Sequence, residues 1–108
     1  MNEFVQVSTA TETREQAIEL AGSIVRGKLA AGAQIIGPVL SAFWHNGDFG
    51  TGEEWQLLLK TGQSRYADLE AHLLAHHPWD NPEIVAVPIV AGSESCLRWI
   101  TTHTQADA

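Results

Sequence analysis

Asn46-Gly47 lies between two apolar stretches long enough to be strands, and no other feature limits the fold of this chain as much. A two-residue hairpin turn of type I′ needs positive φ at both central positions, which Asn and Gly tolerate best. The dipeptide therefore predicts a hairpin. Its first arm is "AQIIGPVLSAFWH", Ala33 to His45, and its second is "EEWQLLLKT", Glu53 to Thr61. Pro38 has no N–H to give a ladder, so Gly37-Pro38 predicts an edge or a bulge in the first arm. Gly62-Gln63-Ser64 breaks the second.

The flanks repeat a strand–helix alternation. Glu3 to Val7 reads as a short strand with Phe4, Val5 and Val7 as its apolar members. Thr9-x-x-Glu12 and Thr13-x-x-Gln16 both fit a capping box, and the residues do not choose between them. A helix follows over about Glu12 to Ala30. Ala17, Ile18, Ala21, Ile24, Val25 and Leu29 recur at helical spacing as its buried stripe, and Gly32 is its stop. After the hairpin, Ser64 caps a second helix through about His76, with Tyr66, Leu69 and Leu73 on one face. Ile84 to Val90 is a fourth strand, which Pro88 places at an edge or a bulge. Gly92-Ser93 opens a last helix carrying Leu97, Trp99 and Ile100. Cys96 on that helix is expected to be a buried small hydrophobe.

The order is β-α-β-β-α-β plus a terminal helix, in one domain over residues 1–108. Two right-handed crossovers around a hairpin give an α+β, ferredoxin-like sandwich, with helices on one face of a four-stranded antiparallel sheet. The other face keeps apolar residues, and a partner subunit is the economical cover. The four tryptophans fit either that interface or the core.

Composition narrows the function. Six Lys plus Arg against thirteen Asp plus Glu give a formal charge of −7. A nucleic-acid binder needs cations to displace phosphate counterions, so that class is set aside. No apolar run approaches the roughly 20 residues that span a bilayer. No basic and apolar leader opens the chain, and the lone Cys96 suits a reducing compartment, so the expected location is the cytoplasm. One cysteine also excludes a Cys-x-x-Cys metal chaperone. "QVSTATETR" has no Gly-rich phosphate cradle for an acylphosphatase, and neither central strand has the basic, aromatic motif of an RNA-recognition domain. No enzyme is expected.

Five segments in order carry a specific resemblance. They are "KLAAGAQIIGPVLSAFW" from Lys28, "NG" at 46, "EEWQLLLKT" from Glu53, "HHPWDNPEI" from His76 and "CLRWI" from Cys96. Together they resemble the CutA family of divalent-cation tolerance proteins over nearly the whole chain. The resemblance implies a tight homotrimer, similar to the PII signalling proteins in fold and assembly, with ligand clefts between subunits. It also implies a metal site, carried over onto Ser8, His76 and Glu83. The family has Cys at the first of these. Serine is a far poorer ligand for Cu(I) or Zn(II), which leaves Cu(II) or another divalent cation as the implied ion. His77 or His45 would add a further ligand.

A competing reading of "HHPWDNPEI" needs no ligand. Histidines at a helix C-terminus bond free carbonyls, and Pro78 stops the helix. Trp44, His45, Glu54, Lys60 and Tyr66 are the candidate residues of an intersubunit cleft. For Glu54 and Lys60 the plainer reading is a salt bridge of little consequence. The functional expectation is a homotrimer that binds a divalent cation, copper above all, and contributes to metal tolerance. The alternative is a PII-like regulatory trimer that takes a small molecule or a partner protein at its clefts.

Overall fold

The structure, a computed structural model, describes residues 3–105. Its elements are β1 (Phe4–Thr11), α1 (Arg14–Arg26), β2 (Gly32–His45), β3 (Asp48–Gly62), a 3-10 turn (Gln63–Arg65), α2 (Tyr66–His76), β4 (Val85–Pro88) and α3 (Glu94–His103). The strands form one antiparallel sheet in the order β2-β3-β1-β4. This is the expected α+β topology, and it puts both proline-bearing strands at the edges. The β2–β3 ladder shifts register between Ile36 and Val39, at Gly37-Pro38. At the hairpin tip φ is 51° at Asn46 and 85° at Gly47, the left-handed pair a type I′ turn demands.

Alternation along the strands divides the sheet into two faces. Val5, Val7, Leu57 and Leu59 point to one side, where they pack with Ala17, Leu20, Ala21 and Ile24 of α1 and with Leu69 and Leu73 of α2. Several of these side chains are fully buried, including Val7, Ile24, Leu57, Leu59, Leu69 and Leu73. Gln6, Ser8, Gln56, Leu58 and Lys60 therefore point to the other side, as do Val85 and Val87 opposite Ser8 and Gln6. Gly32 lies opposite Lys60 on that second side, and a Cβ there would meet the Trp99 ring at 2.8 Å. So α3 crosses the second face, with Trp99 seated on a residue that has no side chain. The expectation that all helices cover one face holds for α1 and α2 only.

Other boundaries moved for identifiable reasons. β1 runs past Val7, because Ser8–Thr11 pair with Leu58–Trp55 of β3. That places Thr9 inside the sheet, 1% exposed, and leaves Thr13 as the N-cap of α1. Thr13 Oγ1 accepts from Gln16 N–H at 3.1 Å, and Gln16 Oε1 accepts from Thr13 N–H at 3.2 Å. Thr13→Ala is expected to lower stability by about 1 kcal/mol in urea unfolding. α1 stops at Arg26, with Gly27 rather than Gly32 as its cap. Its buried stripe is Ala17, Leu20, Ala21 and Ile24, while Ile18 and Val25 are exposed. α2 begins after the 3-10 turn with Arg65 at its N-cap, so Ser64 does not cap it. β4 is shorter than Ile84–Val90. α3 opens after Gly92-Ser93 as expected, with Ser93 as its N-cap, but Cys96, expected to be buried, is exposed on it.

The hairpin outruns the sheet. β1 reaches only Trp55, so Asp48–Glu54 of β3 pair with β2 alone. This two-stranded ribbon carries Leu40 at 80%, Trp44 at 76% and Phe49 at 65% exposure. Trp44 and Phe49 meet edge to face, with centroids 6.0 Å apart. No helix among the described residues is long and apolar enough to cross a membrane.

Candidate functional site

The C-terminal half of α2 and the residue after it carry three histidines, and the fold gives each a different task. His77 is the buried one, 8% exposed. Its extended backbone, φ −68° and ψ 139°, is the conformation a residue before proline favours, and it stops the helix before Pro78. Its Nε2–H donates to Ala10 O at 2.8 Å, and its Nδ1 accepts from Trp79 N–H at 3.0 Å. A carbonyl only accepts and an amide N–H only donates, so these partners fix the neutral Nε2–H tautomer. Both nitrogens are used, and the ring ties the turn after α2 to the end of β1. Burial pushes the His77 pKa down, against a smaller upward pull from the bond to Ala10.

His72 and His76 sit one turn apart with rings stacked, centroids 4.2 Å apart. His76 Nδ1–H donates to His72 O at 2.9 Å. Ser23 Oγ on α1 donates to Leu20 O at 2.9 Å, so it accepts from His72 Nε2–H at 3.0 Å. Burial, then the neighbouring His76, lowers the His72 pKa. His76 borders a groove of ≈ 220 Å³ between α1 and α2, lined by Gln16, Glu19, Leu20, Ser23, His76 and Pro78.

The carried-over metal residues are not gathered within one chain. Ser8 points from the second face of the sheet, and His76 ends a helix packed on the first. Glu83 is exposed just before β4. Among the described residues, no group of three or more His, Cys, Asp or Glu side chains is arranged to hold a metal ion. Ser8, His76 and Glu83 thus do not fit a closed metal site in the single chain.

The candidate cleft residues spread along the second face and the ribbon. Trp44 and His45 stand at the hairpin tip, where Asn46 Nδ2 donates to His45 Nε2 at 3.3 Å. Glu54 and Lys60 share the second face of β3. Six residues of strand hold them about 20 Å apart, so no ion pair joins them within the chain. Tyr66 lies on α2, where its hydroxyl donates to Glu70 Oε2 at 2.8 Å; that bond, then burial and the Glu70 charge, raises its pKa.

Two features of this neighbourhood escaped the sequence reading. His72 was legible as the first member of a His-x-x-x-His spacing. The tautomer lock on His77 was not, because its acceptor lies on a strand 67 residues away.

Residues 5–103 match the sequence profile of the family described as "CutA1 divalent ion tolerance protein". The chain belongs to the CutA1 family. A chloroplastic CutA 1 protein of Oryza sativa is 35% identical over 94% of this chain and 57% of its own length. The Arabidopsis thaliana chloroplastic CutA is 36% identical over 94% of this chain and 56% of its own. The chain thus spans a little over half the length of these plant relatives. The divalent-cation tolerance protein CutA of Thermus thermophilus is 33% identical over 96% of this chain and 99% of its own length. Among solved structures, CutA1 from Oryza sativa superposes with a TM-score of 0.92 at 33% identity, covering 98% of this chain and 97% of that one. The Thermus thermophilus CutA1 structure gives 0.90 at 30% identity, covering 94% and 99%. The family it belongs to is described as one of divalent ion tolerance proteins, and the α+β fold derived above is the one these structures share.

Proposed function

We propose that this CutA1 protein is a cytoplasmic, non-enzymatic homotrimer that binds a divalent cation, Cu(II) foremost, and thereby contributes to cation tolerance. The observation that carries the assembly is the ribbon with its exposed Leu40, Trp44 and Phe49; on the other face, the far edge of the sheet presents Val85 and Val87 at 45% and 49% exposure. A two-stranded ribbon is marginal in water by itself, and exposed apolar side chains of this size call for a partner. The cation reading is supported by membership of a family named for divalent-ion tolerance and by the bare, exposed Nε2 of His76. Imidazole suits Cu(II) and Zn(II).

The test is light scattering followed by calorimetric titration of the assembled protein. The expected mass is three times the 11.7 kDa chain. The expected heat is saturable for Cu(II) and absent for Mg(II), which prefers oxygen ligands. Non-saturable heat with Cu(II) would sink the cation reading. The scatter of Ser8, His76 and Glu83 across the chain favours a second reading, a PII-like trimer that takes a small molecule or a partner protein at clefts lined by Lys60, Glu54, Trp44, His45 and Tyr66. A trimer without stoichiometric cation binding would support it.

A further inference from the structure

We propose that the cavity between the end of β3, the start of α2 and the end of α3 binds a small organic cation, an alkyl chain ending in a primary ammonium group. The cavity has a volume of ≈ 460 Å³, within the range of small-molecule sites. None of its lining residues belongs to the metal set or the cleft set named above, so the site stands apart from both.

Three observations carry the proposal. The first is a glycine that the backbone does not need. Gly62 lines the cavity opposite Phe4 of β1. Its φ of −78° and ψ of 150° suit any L residue. A Cβ there would meet nothing closer than Glu3 O and Ser64 Oγ, both at 3.8 Å. Neither turn geometry nor packing calls for glycine, so its missing side chain preserves the open volume. The second is a pair of acceptors. Thr101 and Thr104 stand about one turn apart at the end of α3 and both line the cavity. Thr101 Oγ1 donates to Leu97 O at 3.3 Å, and Thr104 Oγ1 donates to Ile100 O at 2.7 Å. Each hydroxyl hydrogen is spent, so each oxygen keeps only acceptor lone pairs. Thr104 is 3% exposed, and both lie at the negative end of the helix dipole. The third is charge. Arg65 gives Nη1–H to Asp68 Oδ2 at 2.6 Å and Nε–H and Nη2–H to Lys28 O at 3.4 Å. The Arg65–Asp68 pair is neutral, and the charged group left in the lining is the Glu3 carboxylate.

A primary ammonium has three N–H groups to give, and Glu3, Thr101 and Thr104 offer acceptors for them. Phe4 supplies an apolar wall for the alkyl chain. A bare metal ion is served less well, because one of the two carboxylates is already held by Arg65. An anion would meet the Glu3 charge and the carbonyl end of α3.

The experiment titrates the full-length assembled protein calorimetrically with n-butylamine near neutral pH at constant ionic strength, with butyrate as the anionic control. Glu3→Gln, Thr101→Val and Gly62→Leu are titrated beside the wild type, and circular dichroism checks their fold. Saturable binding of butylamine is expected in the wild type. Glu3→Gln and Thr101→Val should each bind roughly tenfold more weakly, since each removes one acceptor. Gly62→Leu should bind none, because its side chain fills the cavity. In the wild-type protein, butylamine should shift the amide resonances of Gly62, Arg65 and Thr101 and leave those of Asn46 and Gly47 in place, a readout that needs no variant. Butyrate binding as tight as that of butylamine overturns the proposal. So does butylamine binding that is unchanged in a folded Gly62→Leu, and so does the absence of saturable binding in the wild type.

Discussion

Replacing His77 with alanine is expected to lower stability by about 3–5 kcal/mol, the largest effect foreseen for a polar side chain in this molecule. The substitution strips the Ala10 carbonyl and the Trp79 amide of their partner at once and leaves a void where the ring sat. Each unpaired buried group costs about 1–3 kcal/mol, and the void adds to that. The loss should be read as a shift in urea midpoint at fixed protein concentration, since the proposed assembly would contribute to apparent stability. His77→Gln should recover part of it, because an amide both donates and accepts. A midpoint unchanged in His77→Ala would mean that the ring does not hold the turn.

The same lock gives stability a pH dependence of known sign. His77 and His72 both have pKa values below the ordinary 6.5, chiefly through burial. The unfolded chain therefore binds protons more readily than the folded one, and stability rises with pH. Their contribution is full above about 6.5 and is lost as pH falls below it through the lowered folded values. At His77 the reason is direct: a proton on Nδ1 would face the Trp79 N–H, donor against donor. Urea midpoints should fall between about pH 7.5 and pH 5.5, and His77→Gln should flatten that slope.

Charging the ribbon should abolish assembly. Leu40 and Trp44 project from the same face of β2, beyond the last residue of β1, and neither belongs to the core cluster. Burying such a side chain contributes about 1.5–3 kcal/mol per subunit, and a carboxylate in its place would have to be desolvated without a partner. Leu40→Asp with Trp44→Asp is expected to reduce the mass in light scattering from the three chains of the proposed trimer to one. Far-ultraviolet circular dichroism should retain its helical signal, because the core between α1, α2 and the sheet lies elsewhere. An unchanged mass would exclude the ribbon from the interface.

Much of the fold could be read from local chemistry. Asn46-Gly47 demanded left-handed backbone and received it. Pro38 and Pro88 ended up on edge strands, because a residue without an N–H has no place in a central ladder. Leu69 and Leu73 lie where helical spacing put them. The misreadings came from positions where two local patterns were equally good. Ile18 and Val25 fit a helical stripe as well as Leu20 does, and only the direction from which the sheet approaches α1 decided which stripe was buried. Thr9 and Thr13 both fit a cap, and strand pairing to Thr11 removed the first.

The candidate site divides in the same way. By itself the sequence determined the antiparallel α+β topology, the edge strands, the stop at Pro78 and a histidine-rich end to α2, since each follows from backbone geometry or periodicity within a few residues. Only the tertiary structure decided which histidine is locked and which pair keeps bare nitrogens, and that Ser8 and His76 face away from each other. Those outcomes depend on Ala10, Ser23 and the face of the sheet, which are distant in sequence. A hydrogen bond or a shared face between such residues exists only once the chain has folded.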